Sequence, residues 1–375
     1  MVAFHDGMKI LYIAVARIPT EKAHGLQIMK TCEALADLGA SVQLLVPRRP
    51  NALKDDPFAY YKVRKNFSIR YIFSFGAPLG ERLDFLFRYF SFAFAAACSS
   101  LVRESDVLYG RDEIALAVIA LLRGRRVVWE SHQGNWNMAA RFIAHRIQLL
   151  VVISQGLKDF YVSKGIPAER IVVAHDAVDI EEFSVHADEK TVRARLGLPT
   201  DKKIAMYIGK LDEWKGAGTF ARTASLLPEV CVALIGGAPD VVARMKAQYG
   251  DALYLGFRPY RELPDNQAAA DVLVLPNSGA TEISARFTSP LKLFTYMMSG
   301  KPIVASDLPS IREVLDETNA YLVKPDDEAA LAAGIRKALA DPNASVRAKA
   351  AREKVESYSW KGRAEIILTT ITGRA

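Results

Sequence analysis

Three cysteines in 375 residues, Cys32, Cys98 and Cys231, are too few and too widely spaced to staple a fold. No C-x-x-C pair or Cys/His cluster accompanies them, which excludes a disulfide framework, a zinc module and a dithiol redox site and predicts reduced core thiols. Histidine is also scarce: His5, His24, His132, His145, His175 and His186, without an H-E-x-x-H pair. A carboxylate-rich cage is missing as well, so no obligatory metal is expected. The opening residues, MVAFHDGMKILYIAVARIP, show no basic leader followed by a long apolar run. They carry no signal or transit peptide by that criterion, and a cytoplasmic location is the expectation.

Long hydrophobic runs are nearly absent too. Residues 85–102, FLFRYFSFAFAAACSSLV, reach the length of a membrane span but contain Arg88 and several small polar residues. A buried or interfacial helix is predicted there instead. Neither G-x-G-x-x-G nor G-x-x-x-x-G-K-[ST] occurs after the first apolar strand, so a Rossmann dinucleotide site and a P-loop are both unsupported.

Charge of one sign is in modest excess. Lys and Arg outnumber Asp and Glu 49 to 42, a net charge of +7. The excess lies in the first half, with 23 basic against 17 acidic residues over 1–180 and 26 against 25 over 181–375. Its basic residues, among them Arg48, Arg49, Arg64, Lys65, Arg123, Arg125 and Arg126, form short groups with no interleaved aromatic platform. Nucleic acid is therefore not an expected partner, whereas peripheral contact with the anionic inner face of a membrane is a secondary expectation.

What is present is an ordinary globular composition, 50% hydrophobic and 24% charged, at a length that suits about two domains. Short β-rich apolar runs recur at 9–14, 42–46, 106–109, 126–130 and 149–154, separated by helical patterns. In the first helical pattern Ile28, Cys32 and Leu35 share a face and Gly39 supplies a stop. A polar, charged stretch follows near residues 179–203. A second series then runs through 203–209, 230–236, 252–256, 271–276 and 302–306. Such alternation predicts an α/β chain of two Rossmann-like, doubly wound domains with ligands at strand C-terminal ends. The expected bounds are a first domain over 1–180, a linker over 181–202, a second domain over 203–355, and a C-terminal helix over 356–375 packing back on the first domain.

Candidate site residues fall at those strand ends. Gly25 opens the helix after the first strand, where free N–H groups can meet an anion, with His24 and Lys22 beside it. An ordinary helix-start glycine is the alternative. In GKLDEWKG, Lys210 and Lys215 flank a strand-to-helix turn, and two ammonium groups on one edge can neutralise a diphosphate. In TSPLKLF, Ser289 is the expected N-cap and Pro290 the first helical residue, and Lys292 adds charge at the positive end of the helix dipole. His132 and His175 both follow predicted strands directly.

Taken in order, MKILYIA with its glycine loop, YGRDEIALA, VVWESH, VVISQGLKDF, HDAVDIEEF, YIGKLDEWKG, LIGGAP, ADVLVLPNS and SPLKLFTYMMSGKPIVASDLPSIREVL resemble the retaining glycosyltransferases of family 4. The resemblance spans almost the whole chain. It implies a GT-B fold of two facing Rossmann-like domains and metal-independent transfer of a sugar, with retained anomeric configuration. The donor is a nucleotide diphosphate sugar and the acceptor a hydroxyl of a glycan or lipid-linked substrate in polysaccharide or glycolipid synthesis. It also implies a donor site in the second domain. Gly209 would allow close backbone approach there, Lys210 and Lys215 would clamp the diphosphate, Phe257 would lie near the base, and Ser289, Pro290, Leu291 and Lys292 would line phosphates and sugar. Lys210 stands where arginine is more usual, keeping the charge but losing the bidentate fork.

On the first domain, Gly25 would face the donor phosphates, Glu130 and His132 would lie near the reacting sugar, and His24 and Arg111 would be on the acceptor side. The departing diphosphate can itself accept the acceptor proton in such enzymes, so His132 is a positioning or polarising candidate. One position departs from the pattern. The family's ribose-binding glutamate is replaced by Thr295, and its other carboxylate falls at Phe287. Roughly 1.5–3 kcal/mol is at stake per hydrogen bond to a charged group. Altered donor recognition, an engineered change and a non-catalytic nucleotide-sugar or glycan-binding homologue all accommodate Thr295, and a GT-B nucleotide-sugar epimerase is a further alternative.

Overall fold

The first strand, Lys9–Ile13, is buried along KILYI from its second residue on, as a strand covered by helices on both faces requires. The computed structural model describes residues 7–76, 80–184 and 187–373; His5 and His186 lie outside them. The chain divides into two units, one of residues 1–153, 157–175 and 360–375, the other of residues 154–156 and 176–359.

The first unit holds seven strands: β1 (Lys9–Ile13), β2 (Ser41–Arg48), β3 (Ser68–Phe73), β4 (Val107–Gly110), β5 (Val127–Ser131), β6 (Ile147–Val152) and β7 (Ile171–Val173). They pair in parallel in the order β3-β2-β1-β4-β5-β6-β7. The strand order reverses between β1 and β4, which opens a crevice at their C-terminal ends. Helix Ala23–Asp37 links β1 to β2 and buries Ile28, Cys32 and Leu35. The periodic pattern had to be helical because no sheet face repeats every three or four residues.

The second unit holds six parallel strands: β8 (Lys203–Ile208), β9 (Val230–Ile235), β10 (Leu253–Tyr254), β11 (Val272–Leu275), β12 (Ile303–Ser306) and β13 (Tyr321–Val323). Their order is β10-β9-β8-β11-β12-β13, with the reversal between β8 and β11. Two parallel sheets with helices make two Rossmann-like domains.

Several boundaries differ from the sequence expectation. Residues 181–202 are not a linker: Phe183, Val192, Leu196 and Leu198 pack into the second unit's core with Met206 and Leu293. Apolar residues three and four apart on helix Glu189–Leu196 are hidden in a mostly charged string, which masks them in composition. The chain returns to the first unit at Trp360, later than the expected 356, with helix Trp360–Ile371. Strand β3 is a half-exposed sheet edge, and its mixed sequence SIRYIF gives no buried apolar run.

The apolar stretch at 85–102 is two helices, Glu81–Cys98 and Ser100–Glu104, broken where the Ser99 hydroxyl accepts from Leu101 N. Among the described residues, no helix is long and apolar enough to cross a membrane. Helix Glu81–Cys98 buries Phe92, Ala93, Ala96 and Ala97 while Leu83, Phe87, Phe90 and Phe94 stay exposed. Cys98 is exposed, so it is not a core thiol; Cys32 is buried and Cys231 partly buried.

Candidate functional site

In the second unit, the strand end after β8 gathers the predicted donor residues. Tyr207, buried on β8, donates its hydroxyl proton to the Lys210 carbonyl at 2.6 Å and so sets the turn that follows. Tyr296, on helix Leu291–Met298, accepts from Ile208 N at 2.8 Å and pins that helix to the same strand. The two tyrosines bring Lys292 over the Tyr207 ring, 3.8 Å from its centroid. A side chain at Gly209 would place its Cβ 2.8 Å from Lys292 Nζ, so the glycine leaves room for the ammonium.

Lys215 ends the short turn Glu213–Lys215, with Nζ 4.8 Å from the Trp214 ring centroid. The turn is fixed because the Trp214 carbonyl accepts from Ser278 N and from the Ser284 hydroxyl. Gly216 is obligatory next to it: φ is +71° and a Cβ would sit 1.6 Å from the Pro276 carbonyl oxygen.

Lys210, Lys215 and Lys292 thus form one cationic cluster, moderated by Asp212. Burial lowers the Lys292 pKa well below the lysine range, the Lys215 charge lowers it further, and Asp212 opposes both. Burial also lowers that of Lys215, with Asp212 opposing and Lys210 assisting. The Lys292 Nζ is sealed from solvent and has no hydrogen-bond partner. A cation held this way is completed by an anion.

Other predicted donor residues are placed differently. Helix Leu291–Met298 begins one residue later than expected: Pro290 is the N-cap, and Ser289 is not. The Ser289 hydroxyl accepts instead from Asp176 N at 3.1 Å, because its buried position faces that backbone. Leu291 is the first helical residue and only partly buried. Phe257 is 57% exposed and follows Gly256, whose carbonyl accepts from Gly236 N at 2.7 Å, on the strand-end rim shared with Gly209. Thr295 is buried; its hydroxyl accepts from Gln267 Nε2 at 2.8 Å and donates to the Lys292 carbonyl at 3.1 Å.

In the first unit a cavity of about 240 Å³ opens at the β1/β4 reversal, and His24, Arg111, Glu130 and His132 line it together. Gly25 does not present a free N–H: its amide donates to the Lys22 carbonyl at 3.0 Å. Its lack of a side chain serves packing, since a Cβ would sit 2.2 Å from the Tyr61 hydroxyl.

Glu130 is fully buried on β5 and accepts from three side chains: Tyr109 at Oε2, and His132 Nε2 (2.6 Å) and Arg363 Nη2 (2.9 Å) at Oε1. Burial alone would raise the Glu130 pKa, but the Arg363 charge and the His132 hydrogen bond bring it well below the carboxylate range. Burial and the Arg111 charge lower that of His132 to about 4 against the pull of Glu130. The imidazole is therefore neutral at pH 7. A carboxylate oxygen at 2.6 Å requires the proton on Nε2, which leaves Nδ1 as the acceptor nitrogen. Arg111 donates to Gln27 Oε1, and Gln27 Nε2 lies 3.1 Å from His132 Nε2. His175 Nδ1 contacts the Ile153 carbonyl at 3.0 Å.

Arg363, Tyr109 and Gln27 were not singled out from the sequence. For Arg363 a signal exists: Trp360, Arg363, Ala364, Ile367 and Leu368 form one buried helical stripe, and a lone arginine on such a stripe needs a buried partner. Among the described residues, no group of three or more His, Cys, Asp or Glu side chains is arranged to hold a metal.

Two family profiles match the chain: "Glycosyltransferase Family 4" over residues 25–182 and "Glycosyl transferases group 1" over residues 202–341. Between them they take in well over half of it. D-inositol 3-phosphate glycosyltransferase of Streptomyces avermitilis is 28% identical over 211 residues, 51% of this chain and 44% of that protein. Sulfoquinovosyl transferase SQD2 of Arabidopsis thaliana is 27% identical over 230 residues, 59% of this chain and 44% of that protein. The matches thus span less than half the length of these curated relatives. Among solved structures, Anabaena HepE in complex with UDP and glucose superposes with a TM-score of 0.77 at 19% identity, covering 97% of this chain and 99% of that one. Sucrose-phosphate synthase from Thermosynechococcus elongatus gives a TM-score of 0.75 at 20% identity, covering 96% and 97%. These likenesses establish the fold.

Proposed function

As the chain belongs to the family-4-like GT-B glycosyltransferases, we propose that it transfers a sugar from a nucleotide diphosphate sugar to a hydroxyl of a glycan or lipid-linked acceptor. The anomeric configuration is retained and no metal takes part. The observation that carries this reading is the Lys210, Lys215 and Lys292 cluster at the end of β8, with its sealed, unpartnered ammonium. Three lysines and the close approach allowed at Gly209 suit a diphosphate, and they supply the leaving-group stabilisation otherwise left to a divalent ion. UDP-sugars are the first donors to test, because the HepE neighbour holds UDP.

The acceptor belongs in the first unit's cavity. There His132 Nδ1 accepts from a non-reacting hydroxyl of the acceptor and orients the molecule, and the departing diphosphate takes the proton of the hydroxyl that attacks. The protein works in the cytoplasm at the inner membrane face. Leu83, Leu86, Phe87, Phe90 and Phe94 on helix Glu81–Cys98, beside the exposed Phe73 and Phe75, support a lipid-surface contact.

Lys215→Ala tests the donor assignment. Loss of one charge-assisted contact, about 1.5–3 kcal/mol, weakens nucleotide diphosphate binding roughly tenfold to a hundredfold. Unchanged donor KM and turnover in that variant, beside an active parent, would remove Lys215 from the site.

A second reading rests on Thr295. With its hydroxyl committed to Gln267 and the Lys292 carbonyl, it offers the ribose nothing comparable to a carboxylate. A non-catalytic homologue would bind a glycan or nucleotide sugar without turnover, and product analysis with radiolabelled donor separates the two.

A further inference from the structure

The C-terminal helix Trp360–Ile371 carries Arg363 on its buried stripe, with a side-chain exposure of 3%. Its guanidinium reaches three different elements of the first unit. Nη2 donates to Glu130 Oε1 at 2.9 Å, Nη1 to the Thr31 hydroxyl at 3.3 Å, and Nε to the His175 carbonyl at 3.1 Å. A buried guanidinium and a buried carboxylate are each costly alone, and a planar fork bonded on several edges holds its partner in one place.

Glu130 links this arginine to the cavity. The same oxygen, Oε1, that accepts from Arg363 also accepts from His132 Nε2, so the position and charge of the carboxylate decide where the imidazole proton lies. Tyr109 holds the other oxygen. The charged groups acting on His132 are Glu130 from β5, Arg111 from the turn after β4, and Arg363 from the C-terminal helix. His24, Asp112 and Glu113 stand on the cavity wall around it.

We propose that Arg363 is a positioning residue of the acceptor-side site: by holding Glu130 ionised and fixed, it keeps the His132 Nε2 proton in place and leaves Nδ1 of a neutral imidazole to accept from a non-reacting acceptor hydroxyl. The proposal rests on the glycosyltransferase reading for the identity of that hydroxyl, but the proton arrangement stands apart from turnover. It also gives the return of the chain to the first unit a chemical role. The helix delivers a buried countercharge that bonds Glu130 directly.

The test is the titration of His132 by NMR in the full-length protein, with its resonance assigned by comparison with H132Q. In the wild type the imidazole stays neutral down to about pH 4. R363M removes a neighbouring positive charge and leaves Glu130 without its countercharge, so the midpoint rises by about one pH unit or more. The acid limb of the transfer rate moves up with it, and kcat falls while donor KM changes less than about threefold. R363K, which keeps the charge, holds the midpoint within about half a unit of the parent and restores part of kcat.

A folded R363M with an unmoved midpoint overturns the proposal. If R363M does not fold, R363Q, which keeps a hydrogen-bond donor near Glu130 but removes the charge, carries the comparison; an unmoved midpoint there overturns it too. A wild type inactive with every donor defeats the glycosyltransferase reading instead, and the midpoints still decide the role of Arg363.

Discussion

Lys292 Nζ lies 3.8 Å from the centroid of the Tyr207 ring, while the hydroxyl of the same tyrosine is spent on the Lys210 carbonyl. The aromatic face and the nearby Asp212 charge compensate the ammonium, and together they offset only part of its desolvation.

Two opposite effects follow for Lys292→Met. Removing a buried, unpartnered amine stabilises the ligand-free protein, by about 1–3 kcal/mol, and raises its Tm by a few degrees. Stabilisation by UDP, measured by thermal shift, is lost in the same variant. The lowered Lys292 pKa adds a proton linkage. A bound diphosphate favours the charged ammonium, so UDP binding takes up protons at alkaline pH in the wild type and not in Lys292→Met. Calorimetry in buffers of different ionisation enthalpy reads this directly.

Thr295 gives a prediction with two arms. Thr295→Val leaves Gln267 Nε2 without its acceptor in a buried setting, and the unfolding free energy drops by about 1–3 kcal/mol. Thr295→Glu restores the carboxylate that the family resemblance expects. The UDP dissociation constant then falls about tenfold, with no gain for UDP analogues lacking the ribose hydroxyls. Equal gains for both nucleotides would show that the glutamate does not act through the ribose hydroxyls.

How much of this was legible in the sequence depends on where each residue's partner lies. Lys210, Lys215 and Lys292 could be picked out because strand-end and helix-start positions are marked locally by glycine, proline and apolar periodicity. The internal commitments of Gly25, Ser289 and Thr295 could not, because Tyr61, Asp176 and Gln267 are 36, 113 and 28 residues away. The edge strand β3 escaped for a different reason. An edge strand needs no continuous buried run, so its pattern resembles a loop. Residues 181–202 read as a linker because charge dominates composition even where Val192 and Leu196 carry the packing.

Acid stability follows from His132 and Glu130. The folded His132 pKa of about 4 lies below the ordinary value of 6.5, so between those values the unfolded chain binds the proton first. Its contribution is fully present above pH 6.5 and is lost as pH falls toward 4, on the order of 3 kcal/mol. Glu130, also lowered in the folded state, adds a loss that begins near its unfolded pKa of 4.5. Denaturant unfolding across pH 7.5 to 4.5 shows the first slope in the wild type. In H132Q that slope shrinks to what His175 contributes, whose pKa burial also lowers, while the steeper loss below pH 4.5 remains.

The exposed face of helix Glu81–Cys98 separates packing from surface function. Phe87 and Phe94 are 50% and 59% exposed, whereas Phe92 on the opposite face is fully buried. A phenylalanine half in water already forgoes much of its burial energy, so Phe87→Ser with Phe94→Ser shifts the unfolding free energy by less than about 1 kcal/mol. Insertion of the same rings into a bilayer interface returns that energy. Cosedimentation of the wild type with phosphatidylglycerol-containing vesicles therefore exceeds that of the double variant about tenfold or more at low salt. A wild type that stays in the supernatant at low salt defeats the membrane contact, and Phe92→Ser, which unfolds rather than solubilises, provides the control for the buried face.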